Sequence, residues 1–371
     1  MNTGTVPFRV GAETQIRYGI EITMRLVQCL SRINGPQTLG RGLGFWVPFA
    51  FVLLIAFAFP MFSDDYTTGN VAYFFTWLFM AAGLCLMWGY GGTLSFGQTA
   101  FFGIGGYTYG VLTINFGADN GMTLYALAAS IIFGAIIAGL LGYFLFYGRI
   151  NGVFLGIVTL AVSILLERFM AQTAGPQWHI GEARLNGFNG MNGMPALTIP
   201  WPGGDIVLLA GLGFYYVVLC LLLIVYFGIR ILVNSRFGNV LVAIRENPLR
   251  AEMLGYDVRK FQLSAFVIGS ALASLSGVLY TCWGQYITPS SMSLTSAALP
   301  IVWVAIGGRS DITASLVGAL LTLMVFQTLT VTGAQYALII MGVLLLVNVL
   351  TAPEGLVLQL FRVRLKIRRR N

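Results

Sequence analysis

Charge is what this chain has least of. Asp, Glu, Lys and Arg together make up 9% of it, against about 25% in soluble domains. Hydrophobic residues make up 57%, more than any soluble core requires, so the chain reads as a polytopic membrane protein. Histidine is nearly absent: His179, beside Trp178, stands alone. That excludes a Ser/His/Asp or Cys/His catalytic set and leaves His179 as a solvated loop residue. There are two lysines, Lys260 and Lys366, and neither follows the glycine spacing of a phosphate loop. The chain is therefore not expected to bind ATP through such a loop, or any cofactor. Cys29, Cys85, Cys220 and Cys282 lie far apart, with no metal spacing and no disulfide framework. The paired intramembrane carboxylates of a proton relay are missing as well. Glu167, within VTLAVSILLERF, is the one acid well inside an apolar run. It marks either a functional site or a snorkelling outer helix end, and adjacency on a helix argues against a simple pair with Arg168. Residues 1–43 lack the apolar core of a cleavable signal.

What is present is apolar length. Ten segments follow one another at 44–62, 71–90, 96–116, 123–147, 152–171, 206–230, 262–284, 297–308, 312–332 and 335–351. The eighth is shorter than the roughly 20 residues a spanning helix needs. It either extends into the preceding loop or is a half-helix joined to non-helical backbone. The 46 glycines suit close helix packing in lipid. The expected fold is an all-α polytopic membrane protein of about ten transmembrane segments, some short or broken. A transmembrane domain at 44–351 carries a long outer loop at 172–205 and a cytoplasmic loop at 234–261. It is flanked by an N-terminal region, 1–43, and a basic tail, 352–371. In 1–43, Ile16, Ile20, Met24, Val27 and Leu30 recur at helical spacing, with Arg17, Glu21, Arg25, Gln28 and Arg32 opposite. This is an amphipathic helix on the inner membrane surface or a frayed polar tail. With both termini in the cytoplasm, nineteen of the 21 Lys and Arg fall inside, leaving Arg168 and Arg184 outside. The net charge of +8 thus reads as membrane orientation and not as nucleic-acid binding.

Asn234–Phe261 is the longest polar interruption in the second half. Asn247 can cap a short helix, Pro248 fits its first position, and Gly255 can take the left-handed stop. Leu249, Met253 and Leu254 fall on one side, Arg250 and Glu252 elsewhere. The helix is either an ordinary loop turn or something held out for a partner.

Residues 87–110, MWGYGGTLSFGQTAFFGIGGYTYG, run from an apolar helix through a Gly-Gly break into a glycine-rich helix. With SRFGNVLVAIRENPLRAEMLG at 235–255, WVAIGGR at 303–309 and APEGL at 352–356, this resembles the membrane permease subunits of ABC importers for branched-chain amino acids. Sister lineages carry urea or short-chain amides. Two features depart from the pattern: GFNGMNGM at 187–194 lacks the usual double glycine, and RSDITAS follows WVAIGG.

The resemblance implies a bacterial inner-membrane location and a path shared with a second, homologous permease. It also implies two cytoplasmic ATPase subunits that use the ATP, an extracytoplasmic solute-binding protein, and membrane lipid. It assigns ATPase coupling to Arg245, Glu246, Leu249, Arg250, Glu252, Leu254 and Gly255. Gly91, Gly92, Ser95, Gln98, Phe101, Phe102 and Tyr107 are the candidate translocation path. There a break frees backbone groups beside a cavity, and Ser95 and Gln98 share a helix face. The alternative is that the glycines serve packing alone. An ion-coupled secondary transporter would need coupling-ion ligands, for which only Glu167 is available. A channel would give flux independent of nucleotide.

Overall fold

The computed structural model describes residues 33–38, 40, 42–117, 122–200 and 206–361. The helix read over 1–43 and the basic residues of the tail lie almost wholly outside these. The chain forms α1 (Leu43–Phe62), α2 (Asp65–Leu84), which widens into a π-helical turn over Cys85–Tyr90, α3 (Gln98–Phe116), α4 (Met122–Tyr147) and α5 (Val153–Ala171). After a long loop come α6 (Leu212–Val233), α7 (Arg236–Glu246), α8 (Pro248–Met253), α9 (Val258–Gly284), α10 (Leu294–Gly307) and α11 (Ile312–Thr351). Seven of the described helices are long and apolar enough to cross a membrane, so the protein is an all-α, multi-pass membrane protein.

Boundaries moved where caps recruited polar residues. Asp64 accepts from Thr67 N and starts α2 six residues before the apolar run expected at 71. It is a helix cap and not simply a loop acid. Asp257 and Ser293 do the same for α9 and α10. The span expected from 206 begins at Leu212 instead. Ile206–Leu208 form a strand, β5, paired antiparallel with β4 (Leu197–Ile199). The eighth segment is the 14-residue α10, preceded by a 3-10 turn at Pro289–Met292. It is a half-helix about 21 Å long.

Helical backbone runs through all 40 residues of α11, yet both its halves lie against α10. Gly318 abuts Gly307, and Asn348 Nδ2 donates to Ala305 O at 3.1 Å. A straight helix would hold residues 318 and 348 roughly 45 Å apart. The chain therefore doubles back within α11, in keeping with two separate apolar segments.

The core is built around α9. One side carries Gly269, Ala273 and Gly277, which let α2 and α3 approach to backbone contact: a Cβ on Gly269 would meet Gly83 O at 2.9 Å. Ser276 Oγ donates to Thr76 O at 2.6 Å and Ser274 Oγ to Phe101 O at 3.1 Å. The long loop between α5 and α6 is tied down. β1 (His179–Ile180) and β2 (Ala183–Arg184) form a hairpin, and β3 (Met191–Asn192) pairs with β6 (Tyr286–Ile287) after α9. Met191 and Met194 pack on Gly110 of α3. GFNGMNGM is thus folded onto the helices.

Candidate functional site

The helix α8 forms as its caps dictate. Asn247 Oδ1 accepts from Arg250 N at 3.0 Å, Pro248 opens α8, and Gly255 has φ +87°. Ala251 is buried on Val240, Ile244 and Val258. The outward face is apolar: Leu249 is 69%, Met253 87% and Leu254 72% exposed. Arg250 and Glu252 are also exposed. For Asp257, after the helix, desolvation is the largest single influence and raises its carboxyl, but the hydrogen bonds from Lys260 and the charges of Lys260 and Arg259 together hold it below the usual range.

Arg245 does not share that outward face. Its Nη1 donates to Gly89 O, while Nε and Nη2 fork onto Glu246 Oε1 at 3.1 and 2.6 Å. Gly92, at φ +71°, lies directly beneath it: a Cβ there would meet Arg245 Cα at 3.2 Å. Arg309 approaches the same turn from the other side, its guanidinium 5.3 Å over the Trp88 ring and its carbonyl against Gly89 and Cys85 Sγ. Gly355 packs on the backbone of Gly307 and Gly308. All four sequence blocks singled out above therefore meet at one end of the molecule.

The break is real. Gly91 N bonds Leu86 O and Thr93 N bonds Met87 O, both wider than α spacing. Helical structure resumes at Gln98 with Gly97 as its cap. Ser95 lies in the connecting segment, not on α3, so it shares no helix face with Gln98. Instead Ser95 Oγ accepts from Gly97 N at 3.1 Å. Gln98 Nε2 faces Met87 Sδ at 2.9 Å, and its Oε1 has no partner. Phe101 and Phe102 are buried, Phe101 edge-on to Phe266. Phe102 stacks on Trp77 at 4.7 Å and contacts Tyr280 at 5.3 Å. Trp77 in turn meets Trp303 at 5.8 Å, and Tyr280 OH bonds Tyr286 OH at 2.8 Å. The indole N–H of Trp303 and the hydroxyl of Tyr107 are buried without hydrogen-bond partners. The sequence singles out Phe102 among these; Trp77, Tyr280 and Trp303 join it from three distant helices. Among the described residues, no cluster of three or more His, Cys, Asp or Glu side chains could hold a metal.

Glu167 lies in the last two turns of α5, 15% exposed, with Arg168 Nε 3.4 Å from its carboxylate. Adjacent positions do pair here, against the expectation. Adjacent helix positions point apart, but the long arginine bends back at the C-terminal end of α5. Glu167→Gln is expected to leave solute uptake within about two-fold of wild type in proteoliposomes. A tenfold loss would return this acid to the path.

Comparison with known proteins places these features. Residues 66–349 match the family described as "Branched-chain amino acid transport system / permease component". The high-affinity branched-chain amino acid transport system permease protein LivM of Escherichia coli is 26% identical over 85% of this chain and 76% of its own length. A probable LivM of Methanocaldococcus jannaschii is 27% identical over 72% of this chain and 80% of its own. From the same organism, a probable LivH permease is 28% identical over 38% and 46%. No solved structure matches. The family match begins at the start of α2 and ends near the end of α11, and the chain belongs to the family of branched-chain amino acid transport permease components.

Proposed function

We propose that this inner-membrane permease moves branched-chain amino acids inward as one half of a two-permease core, powered by two separate ATPase subunits. Both termini lie in the cytoplasm, and a solute-binding protein delivers the cargo to the outer loop. This chain holds no ATP itself. The observation that carries the reading is α8: a capped helix within one of the four converging blocks, with Leu249, Met253 and Leu254 exposed. In a neighbouring subunit's cleft, each apolar side chain would contribute about 1.5–3 kcal/mol on full burial. The charges of Arg250 and Glu252 would set register. The similarity to both LivM and LivH relatives supports pairing with a second, related permease. The aromatic cluster of Phe102, Trp77, Tyr280 and Trp303, with the unpaired groups of Gln98 and Tyr107, is packed in the core of this conformation and would meet a solute with an apolar side chain and polar ends only when the helices part.

The double variant Leu249→Asp/Leu254→Asp tests the coupling face. Co-purification of the ATPase subunits should fall at least tenfold, with the permease still inserted in the membrane. ATPase association and leucine uptake at wild-type levels would sink the coupling role. Uptake of labelled leucine and valine, with urea and acetamide in parallel, decides the cargo. Uptake that persists without the ATPases would defeat the importer reading.

A further inference from the structure

The π-helical turn Cys85–Tyr90 ends abruptly: Trp88 O keeps Gly92 N, but Gly89 O loses its usual donor. In an α-helix Gly89 O would accept from Thr93 N, but that amide turns back to Met87 O. The donor that replaces it comes from elsewhere in the chain: Arg245 Nη1, 156 positions away. Arg245 belongs to α7, the helix that leads directly into α8. Its fork on Glu246 fixes the guanidinium, so three of its nitrogens are committed. Gly92 at φ +71° allows the backbone of the break to pass under Arg245. The opposite side of the turn is closed by Arg309, with its carbonyl against Gly89 and its guanidinium over Trp88.

Resting on the coupling role given to α8 above, we propose that Arg245 is a positioning residue: it ties the coupling loop to Gly89 O, so that displacement of α7–α8 moves the inner end of the π-helical turn and hence the break at Gly91-Gly92. The sequence assigned Arg245 to the ATPase contact. The geometry points it inward, to the permease's own backbone. A π-helical turn suits this task, because its spacing is locally wider than that of the flanking helix and such turns recur at functional sites. The arginine fork suits it too, since a single guanidinium can serve both a carboxylate and a carbonyl in fixed relative positions.

The test is the number of leucine molecules transported per ATP hydrolysed by the complete reconstituted importer, a ratio that loss of folded protein does not change. Arg245→Ala should keep the ATPases bound and basal hydrolysis within two-fold, while the ratio falls tenfold or more. Arg245→Lys keeps the charge but loses the fork, and should fall between the two. A wild-type ratio in Arg245→Ala overturns the proposal. So does loss of the ATPases from that variant, which would make Arg245 a docking residue. If Arg245→Ala does not assemble, Arg245→Lys decides: an unchanged ratio there also refutes the tie. Failure of the underlying reading is distinct, because it would appear as wild-type complex without ATP-dependent uptake.

Discussion

Gly277→Val should destabilise the membrane domain, lowering the apparent melting temperature in detergent by about 5–10 °C. A Cβ at Gly277 would overlap the carbonyl oxygen of Phe102, and its next neighbours are Phe102 carbonyl carbon and Cα. Those are backbone atoms of α3, so no flexible side chain can yield. Nor can α3 back away. Gly105, one turn on, lies with its Cα face on Ser274, where a Cβ would come within 2.8 Å of Ser274 Cα. Ser274 Oγ holds Phe101 O at 3.1 Å. Two helices are thus fastened at closest approach on both sides of the inserted methyls. Overpacking of this kind costs about 1–3 kcal/mol and more where backbone must shift. At about 2–4 °C per kcal/mol for a chain of this size, the expected shift follows. Gly228→Ala, where nothing lies within 4 Å, is the control and should leave melting unchanged. Fluorescence-detected size exclusion after heating reads both variants. A Gly277→Val profile matching wild type would remove α9 as the packing centre.

The glycines of α9 also show what was legible in the sequence. Spanning helices were readable because a long apolar run has few other uses, and the half-helix α10 betrayed itself by length alone. Short apolar runs carry less information: Ile206–Leu208 looked like the start of α6 and became a strand paired with Leu197–Ile199, since periodicity over a few residues cannot separate the two. In the candidate site, α8 was readable because Asn247, Pro248 and Gly255 act within a few residues of one another. The inward turn of Arg245 was not, because Gly89 lies 156 positions away. The aromatic group failed for the same reason, as Trp77 and Trp303 carry no local signal of their meeting. The pairing of Glu167 with Arg168 was misjudged from Cβ directions, which do not govern the ends of long side chains.

Arg230 is the residue whose role the sequence misrepresented most, and Arg230→Met should cost about 1.5–3 kcal/mol, the range for losing buried hydrogen bonds to a charged group. In the charge pattern it counted as one more inner-surface cation. In the fold it is fully buried. Its Nε donates to Ile33 O at 2.6 Å and Nη2 to Gly40 O at 2.8 Å. Nη1 reaches Tyr226 OH at 2.8 Å and Thr313 Oγ1 at 3.3 Å. The guanidinium also lies 4.9 Å from the Phe45 ring centroid and 5.1 Å from that of Trp46. One side chain thus joins the strap before α1 to α6 and to the start of α11. Methionine fills similar volume but donates nothing, so the carbonyls of Ile33 and Gly40 lose these bonds. Lysine keeps the charge, yet its compact ammonium cannot reach four acceptors on two sides of a plane or stack on the rings. Arg230→Lys should therefore recover about half the loss. The strap matters beyond stability. Gln37 N donates to Asn234 Oδ1 at 3.0 Å and Gln37 O accepts from Tyr90 OH at 3.3 Å, so the same strap steadies the last residue of the π-helical turn. Arg230→Met should lower melting, expose the strap to protease and reduce uptake together. A variant that melts and resists protease like wild type would mean that the strap is held by Asn234 and Tyr90 without the arginine.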